Sequence, residues 1–299
     1  MPLYLPPISR RQFLAGSLAA GAGLFLPAGI SAAEPAVDPN RWVLLSDTHI
    51  SERREGVYRG TKPAANLAQA VREILALDPR PAGVVHAGDV AFGEGLAADY
   101  AVFGQLIAPI RAAGIPLHIA LGNHDHRANF RAAFPDAKSP PGCDRQVAVI
   151  PARQVNWYLL DSLDKTNSTP GRLGKPQLDW LAGALDARAK TPAILVAHHD
   201  LGSLRGLRDA ETLVELAAAR KQVKAYFFGH THAWAVGKQD QQNKFDLVNI
   251  PTTAWTFDPF QPRGWVDMTL RAGGATLVLQ SLNPDHAKHG ERVELKWAA

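Results

Sequence analysis

The sequence predicts an α/β fold, and three observations carry that expectation. Short aliphatic runs of strand length recur along the chain, and most of them end in a polar cluster rich in Asp and His. Longer segments between them space their apolar residues at the period of a helix. From Phe245 onward the pattern changes to strand-like runs separated only by turns. Alternating strands and helices imply an α/β sheet, and the tail is read as antiparallel strands completing a second sheet.

The first strand is read at Trp42 to Ser46 and leads into Asp47-Thr48-His49. From Pro63 to Leu77, the side chains of Leu67, Val71, Ile74 and Leu75 share one face, and Pro63 suits a first helical turn. A strand from Ala82 to Ala87 leads into Gly88-Asp89, and a helix follows from Leu96 to Ala113, in which Pro109 is expected to make a kink or break. The run Ile115 to Leu121 ends in Gly122-Asn123-His124-Asp125, and Val155 to Leu160 is again strand-like. Pro176 to Ala189 brings Leu178, Leu181 and Leu185 together as a helix. Ala193 to Ala197 leads into His198-His199-Asp200, Asp209 to Arg220 reads as a helix with an acidic start, and Val223 to Phe228 leads into Gly229-His230-Thr231-His232. The tail runs are Phe245 to Ile250, Trp265 to Arg271 and Ala275 to Leu282, with Gly273-Gly274 as a hairpin signal. No repeat, low-complexity tract or linker interrupts residues 34–299, which are read as one domain.

Residues 1–33 read as an address. Ser9-Arg10-Arg11-Gln12-Phe13-Leu14 matches the twin-arginine export motif, an apolar segment runs from Leu14 to Ile30, and Ser31-Ala32-Ala33 supplies small residues for cleavage after Ala33. The segment is broken by Pro27 and falls short of the roughly 20 apolar residues of a membrane span. A periplasmic or secreted protein is therefore expected, one that engages the twin-arginine export machinery and keeps no stable membrane insertion after cleavage. That route carries proteins already folded, so the leader points to a cofactor loaded before export. Cys143 is the only cysteine, which excludes an intrachain disulfide. The formal charge is +4, with Arg10 and Arg11 of the leader contributing two of those charges, too little for a nucleic-acid partner.

In open α/β sheets ligands bind beyond the carboxyl ends of the strands. Five polar clusters at such ends would therefore converge, whereas packing gives no reason to end buried strands in unpartnered polar groups. The convergent groups are the carboxylates of Asp47 and Asp89, the amide of Asn123, and the imidazoles of His49, His124, His198, His230 and His232. Nitrogen and oxygen donors without thiolate suit Fe, Mn, Zn or Co. They are too many for one ion, and two ions sharing a bridging carboxylate would use them while clamping a phosphoryl group. His230 and His232, two residues apart on an extended strand end, can reach one site.

Taken in order, Asp47-x-His49, Gly88-Asp89, Gly122-Asn123-His124-Asp125, His198 and Gly229-His230-x-His232 resemble the calcineurin-like metallophosphoesterases over residues 42–250. The tetrapeptide followed by His126-Arg127 is similar to the branch of bacterial cyclic-nucleotide and glycerophosphodiester phosphodiesterases. The resemblance implies a sandwich of two β-sheets with helices outside, four layers in all. It also implies Asp47, His49 and His232 on one metal, Asn123, His198 and His230 on the other, and Asp89 bridging. His124 would contact the phosphate and stabilise or protonate the leaving oxygen, with Asp125 a candidate to orient it. The implied function is phosphoester hydrolysis by in-line attack of metal-bound hydroxide, on a small soluble diester in the first instance and on a monoester in the second. The chain departs from the family where prolines often follow the fourth-block histidine, since here His199-Asp200 follows His198. His198 is taken as the ligand because it directly follows the apolar strand, with His199 pointing away and Asp200 a candidate contact for substrate or water.

Arg127 has the geometry to hold a phosphate oxygen, with a surface salt bridge as its alternative. His86 and His118 read as packing, and His286 and His289 as solvent-facing. Trp234, Trp255, Phe257, Phe260 and Trp265 read as core, with some of them available to line a pocket mouth and stack a base or an organic ester group. No Gly-x-Ser-x-Gly surrounds Ser162, which argues against a serine hydrolase. The absence of a His-x-His-x-Asp-His run argues against an amide or lactam metallohydrolase. A metal-binding module without turnover would be expected to have lost ligands, and none is missing.

Overall fold

In β1 (Val37–Leu45) the side chains alternate between two faces, yet Trp42, Val43, Leu44 and Leu45 are all buried. A strand buried on both faces needs a cover on each. Trp42 and Leu44 join a core that contains Trp157, Ile194 and Phe227 from a second sheet, whereas Val43 and Leu45 pack with Leu67, Ile74 and Phe103 from helices. Those helices are α1 (Pro63–Leu75) and α2 (Ala97–Ala112), and the short α3 (Arg127–Ala133) adds Phe130 to the same layer. On the far side, Leu181 and Leu185 of α4 (Lys175–Asp186) and Leu213 of α5 (Ala210–Ala218) cover Tyr158, Leu195 and Tyr226. The layers therefore run helix, sheet, sheet, helix, as the sequence led us to expect. Each large side chain moved from water into these cores contributes about 1.5–3 kcal/mol. The structure is a computed structural model describing residues 36–297 apart from 138, 141–142 and 239–244. The expected export leader, residues 1–33, lies outside the described residues, and Ala36–Ala299 make one compact unit.

The first sheet has the order β12 (Arg292–Lys296), β11 (Gly274–Ser281), β10 (Gly264–Arg271), β1, β2 (Arg80–His86), β3 (Leu117–Ile119). The second has the order β4 (Ala148–Pro151), β5 (Asn156–Leu159), β6 (Ala193–Val196), β7 (Val223–Phe228), β9 (Asp246–Asn249), β8 (Ala235–Lys238). Strands β1, β2 and β3 are parallel to one another, as are β5, β6, β7 and β9. Parallel strands send their carboxyl ends the same way, so the clusters after β1, β2, β3, β6 and β7 leave the sandwich along one rim.

The tail corrects the expectation that residues 245–282 are antiparallel strands completing one second sheet. β9 runs parallel to β7 in one sheet, while β10 pairs antiparallel with β1 in the other, with Trp42 opposite Met268. Alternation in these runs tells which residues face the core but not which sheet supplies the neighbour. Pro109 does not interrupt α2: it is exposed, lies in the last turn, and its carbonyl still accepts a hydrogen bond from the Ala113 N–H. Strands β4, β8 and β12 and helix α3 were not anticipated, because β4 and β8 are four residues long and β12 is mostly charged.

Candidate metal centre

The strand ends leave their sheets through an uncommon backbone conformation. Asp47, His49, Asp89, His230 and His232 have φ values of 50°, 43°, 54°, 66° and 55°. This left-handed region disfavours most side chains, and Asp and His are among the few that enter it with some frequency. The turns are tied to one another by the backbone, through Asp47 N to Gly88 O at 3.0 Å, His49 N to Asp89 O at 3.0 Å and Gly229 N to His198 O at 3.1 Å. Glycine is required where they touch: a Cβ on Gly122 would overlap the Asp89 carboxylate, and one on Gly229 would overlap the Ser46 hydroxyl and the Asp47 carboxylate.

Three donor groups result, each able to surround an ion: Asp47 with His49 and His232, His49 with Asp89 and His124, and Asp89 with His198 and His230. His49 Nε2 lies 3.0 Å from His232 Nε2, and His198 Nε2 lies 3.3 Å from His230 Nδ1. Asp47 Oδ1 is 3.3 Å from His232 Nε2, and Asp89 Oδ2 is 3.2 Å from His198 Nε2 and 3.7 Å from His49 Nε2. Donors held about 2.1 Å from one ion stand roughly 3.0–3.4 Å apart, so the spacing has the scale of a coordination shell.

The far sides of these groups are already engaged. A ring nitrogen facing a carbonyl must carry the proton. His198 Nδ1 donates to Ala87 O at 2.9 Å, His232 Nδ1 to Trp255 O at 2.5 Å and His124 Nδ1 to Gly93 O at 2.8 Å, which turns each Nε2 inward. Such carbonyl-anchored rings are what metal-binding histidines use. Asp89 Oδ1 accepts from His124 N at 2.8 Å, and Asp47 Oδ2 from Ser46 Oγ at 2.6 Å. The Asn123 side-chain oxygen is buried with no hydrogen-bond partner among the described residues. A buried amide oxygen without a donor costs free energy unless something positive meets it. The donor set therefore fits cations.

The electrostatics agree. Burial alone would raise Asp47 and Asp89, yet the neighbouring histidines, His232 and His198 for Asp47 and His198 first for Asp89, hold both below the usual carboxylate range. Burial alone would lower His198, yet Asp89 and Asp47 push it up to about 9. His49 and His230, pushed down by burial to about 3 and about 4, present neutral rings.

Other expectations are corrected. Asp125 does not touch the His124 ring: its oxygens accept from the N–H groups of Gly122, Ala91 and Val90 and from the Tyr100 hydroxyl, while His124 Nδ1 is held by Gly93 O. Burial, with the Asp89 charge behind it, pushes Asp125 up to about 6. Arg127 forms a fork on Asp161 at 2.6 and 3.0 Å and also donates to Leu163 O, so it is committed away from a phosphate. Asp200 caps its own turn, accepting from Gly202 N, Ser203 N and Ser203 Oγ. His199 is not among the donor groups, but its ring stays beside the centre, 4.7 Å from that of His230, with Nδ1 2.8 Å from Ser162 Oγ. His86 is buried and satisfied, through Gly88 N and Thr48 Oγ1. Of the aromatic residues, Trp234 and Trp265 are core, whereas Trp255 stacks on His49 at 4.5 Å and Phe257 on His232 at 4.4 Å. The supporting carbonyls of Ala87, Gly93 and Trp255 were not foreseen, since a backbone group leaves no mark on residue type. A cavity of 560 Å³ lined by Ile107, His118, Phe130 and Phe134 contains none of the donors.

The family model described as calcineurin-like phosphoesterase matches residues 41–234, and the model of the twin-arginine translocation signal sequence matches residues 7–27. A 3',5'-cyclic adenosine monophosphate phosphodiesterase of Pseudomonas aeruginosa is 29% identical over 79% of this chain and 83% of its own. A glycerophosphodiester phosphodiesterase of Enterobacter lignolyticus is 26% identical over 70% of this chain and 76% of its own. Among solved structures, a dimetal phosphatase of Danio rerio shares the fold, with a TM-score of 0.66 at 15% identity over 87% of this chain and all of that one. No helix among the described residues is long and apolar enough to cross a membrane.

Proposed function

Because the chain belongs to the calcineurin-like phosphoesterase family, we propose that it hydrolyses a small phosphodiester with two metal ions held by its strand-end donors. Asp47, His49 and His232 would hold one ion, Asn123, His198 and His230 the other, and Asp89 would reach both. The observation that carries this reading is the Asp89 carboxylate, which belongs to the group with His49 and to the group with His198. The unpartnered Asn123 oxygen supports a neutral ligand at the second position. When bound, the ions supply Lewis acidity toward the phosphoryl oxygens.

The chain's own groups do the rest. With Nδ1 anchored on Gly93 O, His124 turns Nε2 inward, and as an imidazolium, with a proton on Nε2 as well, it would donate to a phosphoryl oxygen or pass that proton to the leaving alkoxide. Asp125 ties the ends of β2 and β3 together and so fixes the backbone that carries Asn123 and His124. Trp255 and Phe257 stack on His49 and His232 and help hold those rings in place. Both relatives named above are phosphodiesterases, which supports a diester over a monoester. Replacing Asn123 or Asp89 with Ala should lower metal-dependent hydrolysis of an aryl phosphate by more than about 100-fold, since loss of mere supporting groups already costs roughly 10–100-fold. Full activity in both variants would overturn the assignment. Rates on bis-aryl against mono-aryl phosphate test the diester, and a strong monoester preference would reverse it.

A further inference from the structure

A cavity of 380 Å³ opens against the wall of the metal centre. Trp255 and Phe257 belong to both: Trp255 stacks on His49 and gives its carbonyl to His232, and Phe257 stacks on His232. Apart from Pro259 the rest of the lining is polar, including Arg59, Gln261, Arg263, Asn283 and His286, and contains no Asp or Glu. Neither guanidinium has a carboxylate partner among the described residues, and Arg59 instead lies over the Phe257 ring at 5.4 Å. The cavity thus brings together two guanidinium groups and no carboxylate.

We propose that this cavity binds the non-reacting arm of a phosphodiester and selects an arm that carries an oxyanion, a carboxylate or a phosphate; this rests on the reading of the site given above. The volume falls in the range of small-molecule sites, about 300–1,000 Å³. A flat base is not what the walls favour, because the Phe257 ring is already engaged by His232 and Arg59. Arg59 and Arg263 offer the planar forks that match carboxylate and phosphate oxygens.

The test is calorimetry on the metal-loaded protein with three probes: propylphosphonate, 2-carboxyethylphosphonate and 2-phosphonoethylphosphonate. An anionic arm should bind at least about tenfold more tightly than the propyl arm, as one charge-assisted contact allows. The preference should shrink with salt and fall to a ratio of about one in the doubly substituted Arg59→Gln, Arg263→Gln protein, whose melting shows it folded. Whichever anionic probe binds more tightly identifies the oxyanion. Equal affinity for all three probes, or a ratio that survives the double substitution, overturns the proposal. Hydrolysis of aryl diesters carrying the same arms separates the two readings. If these diesters are inert while the binding preference holds, the diesterase reading fails and the subsite stands. If they are cleaved without regard to the arm, the subsite fails and the diesterase stands.

Discussion

Asp125 accepts four hydrogen bonds, three from backbone N–H groups of the loops after β2 and β3 and one from Tyr100 of α2, and none from a catalytic partner. Asp125→Asn should therefore destabilise by about 2–3 kcal/mol, because an amide NH₂ would face donors that need an acceptor. Urea unfolding measures this, and a variant as stable as the parent would contradict it. Arg127→Ala leaves the buried Asp161 carboxylate with only backbone donors, and Arg127 is itself only a quarter exposed. A loss of roughly 2–4 kcal/mol is expected, with KM unchanged in the folded fraction. A raised KM at unchanged stability would restore Arg127 to the substrate. At this scale the donors were legible, because clustered Asp, Asn and His at strand ends have few other uses. The carbonyls that orient them were not, and neither was Asp125's true role, since a carboxylate beside a histidine in sequence need not meet it in space.

At the scale of elements, the alternation of aliphatic runs and helical periods revealed the strands that position the site. Val43 and Leu45 on one face and Trp42 and Leu44 on the other read as a strand covered on both sides. Sheet membership was not legible in the tail, because β9 and β10 carry the same kind of pattern and pair in different sheets. Leu277 of β11 is fully buried in the core between the sheets. Leu277→Ala should cost about 2–5 kcal/mol by denaturant unfolding, whereas a cost below about 1 kcal/mol would mean that this strand is not part of the shared core. The exposed Pro109 sits inside α2 without ending it. Proline is about 3 kcal/mol less favourable than alanine in a helix interior, less in a last turn. Pro109→Ala should thus raise the thermal midpoint, and a lowered one would show that the ring stabilises this turn.

At the scale of the whole molecule, the twin-arginine signal directs the protein across the membrane to the periplasm, and the family fold brings a metal-dependent chemistry with it. Arg10→Lys together with Arg11→Lys should abolish export while leaving soluble, active protein in the cytoplasm, a result read by fractionation. Removing metal with a chelator should lower the thermal midpoint and adding it back should restore it; at a thousandfold excess over Kd the bound ion contributes about 4 kcal/mol. A midpoint indifferent to chelation would argue against ions at these donors. The antiparallel pairing of β10 with β1 also sets a schedule. Asp47 is held from the C-terminal side, its carbonyl accepting from Ala254 N and Thr252 Oγ1, and β1 has β2 on one edge but nothing on the other until β10 exists. The first polar cluster to leave the ribosome is therefore among the last to be fixed in place, and a transport route that accepts only folded cargo must wait, with its own signal long since displayed, for the end of translation.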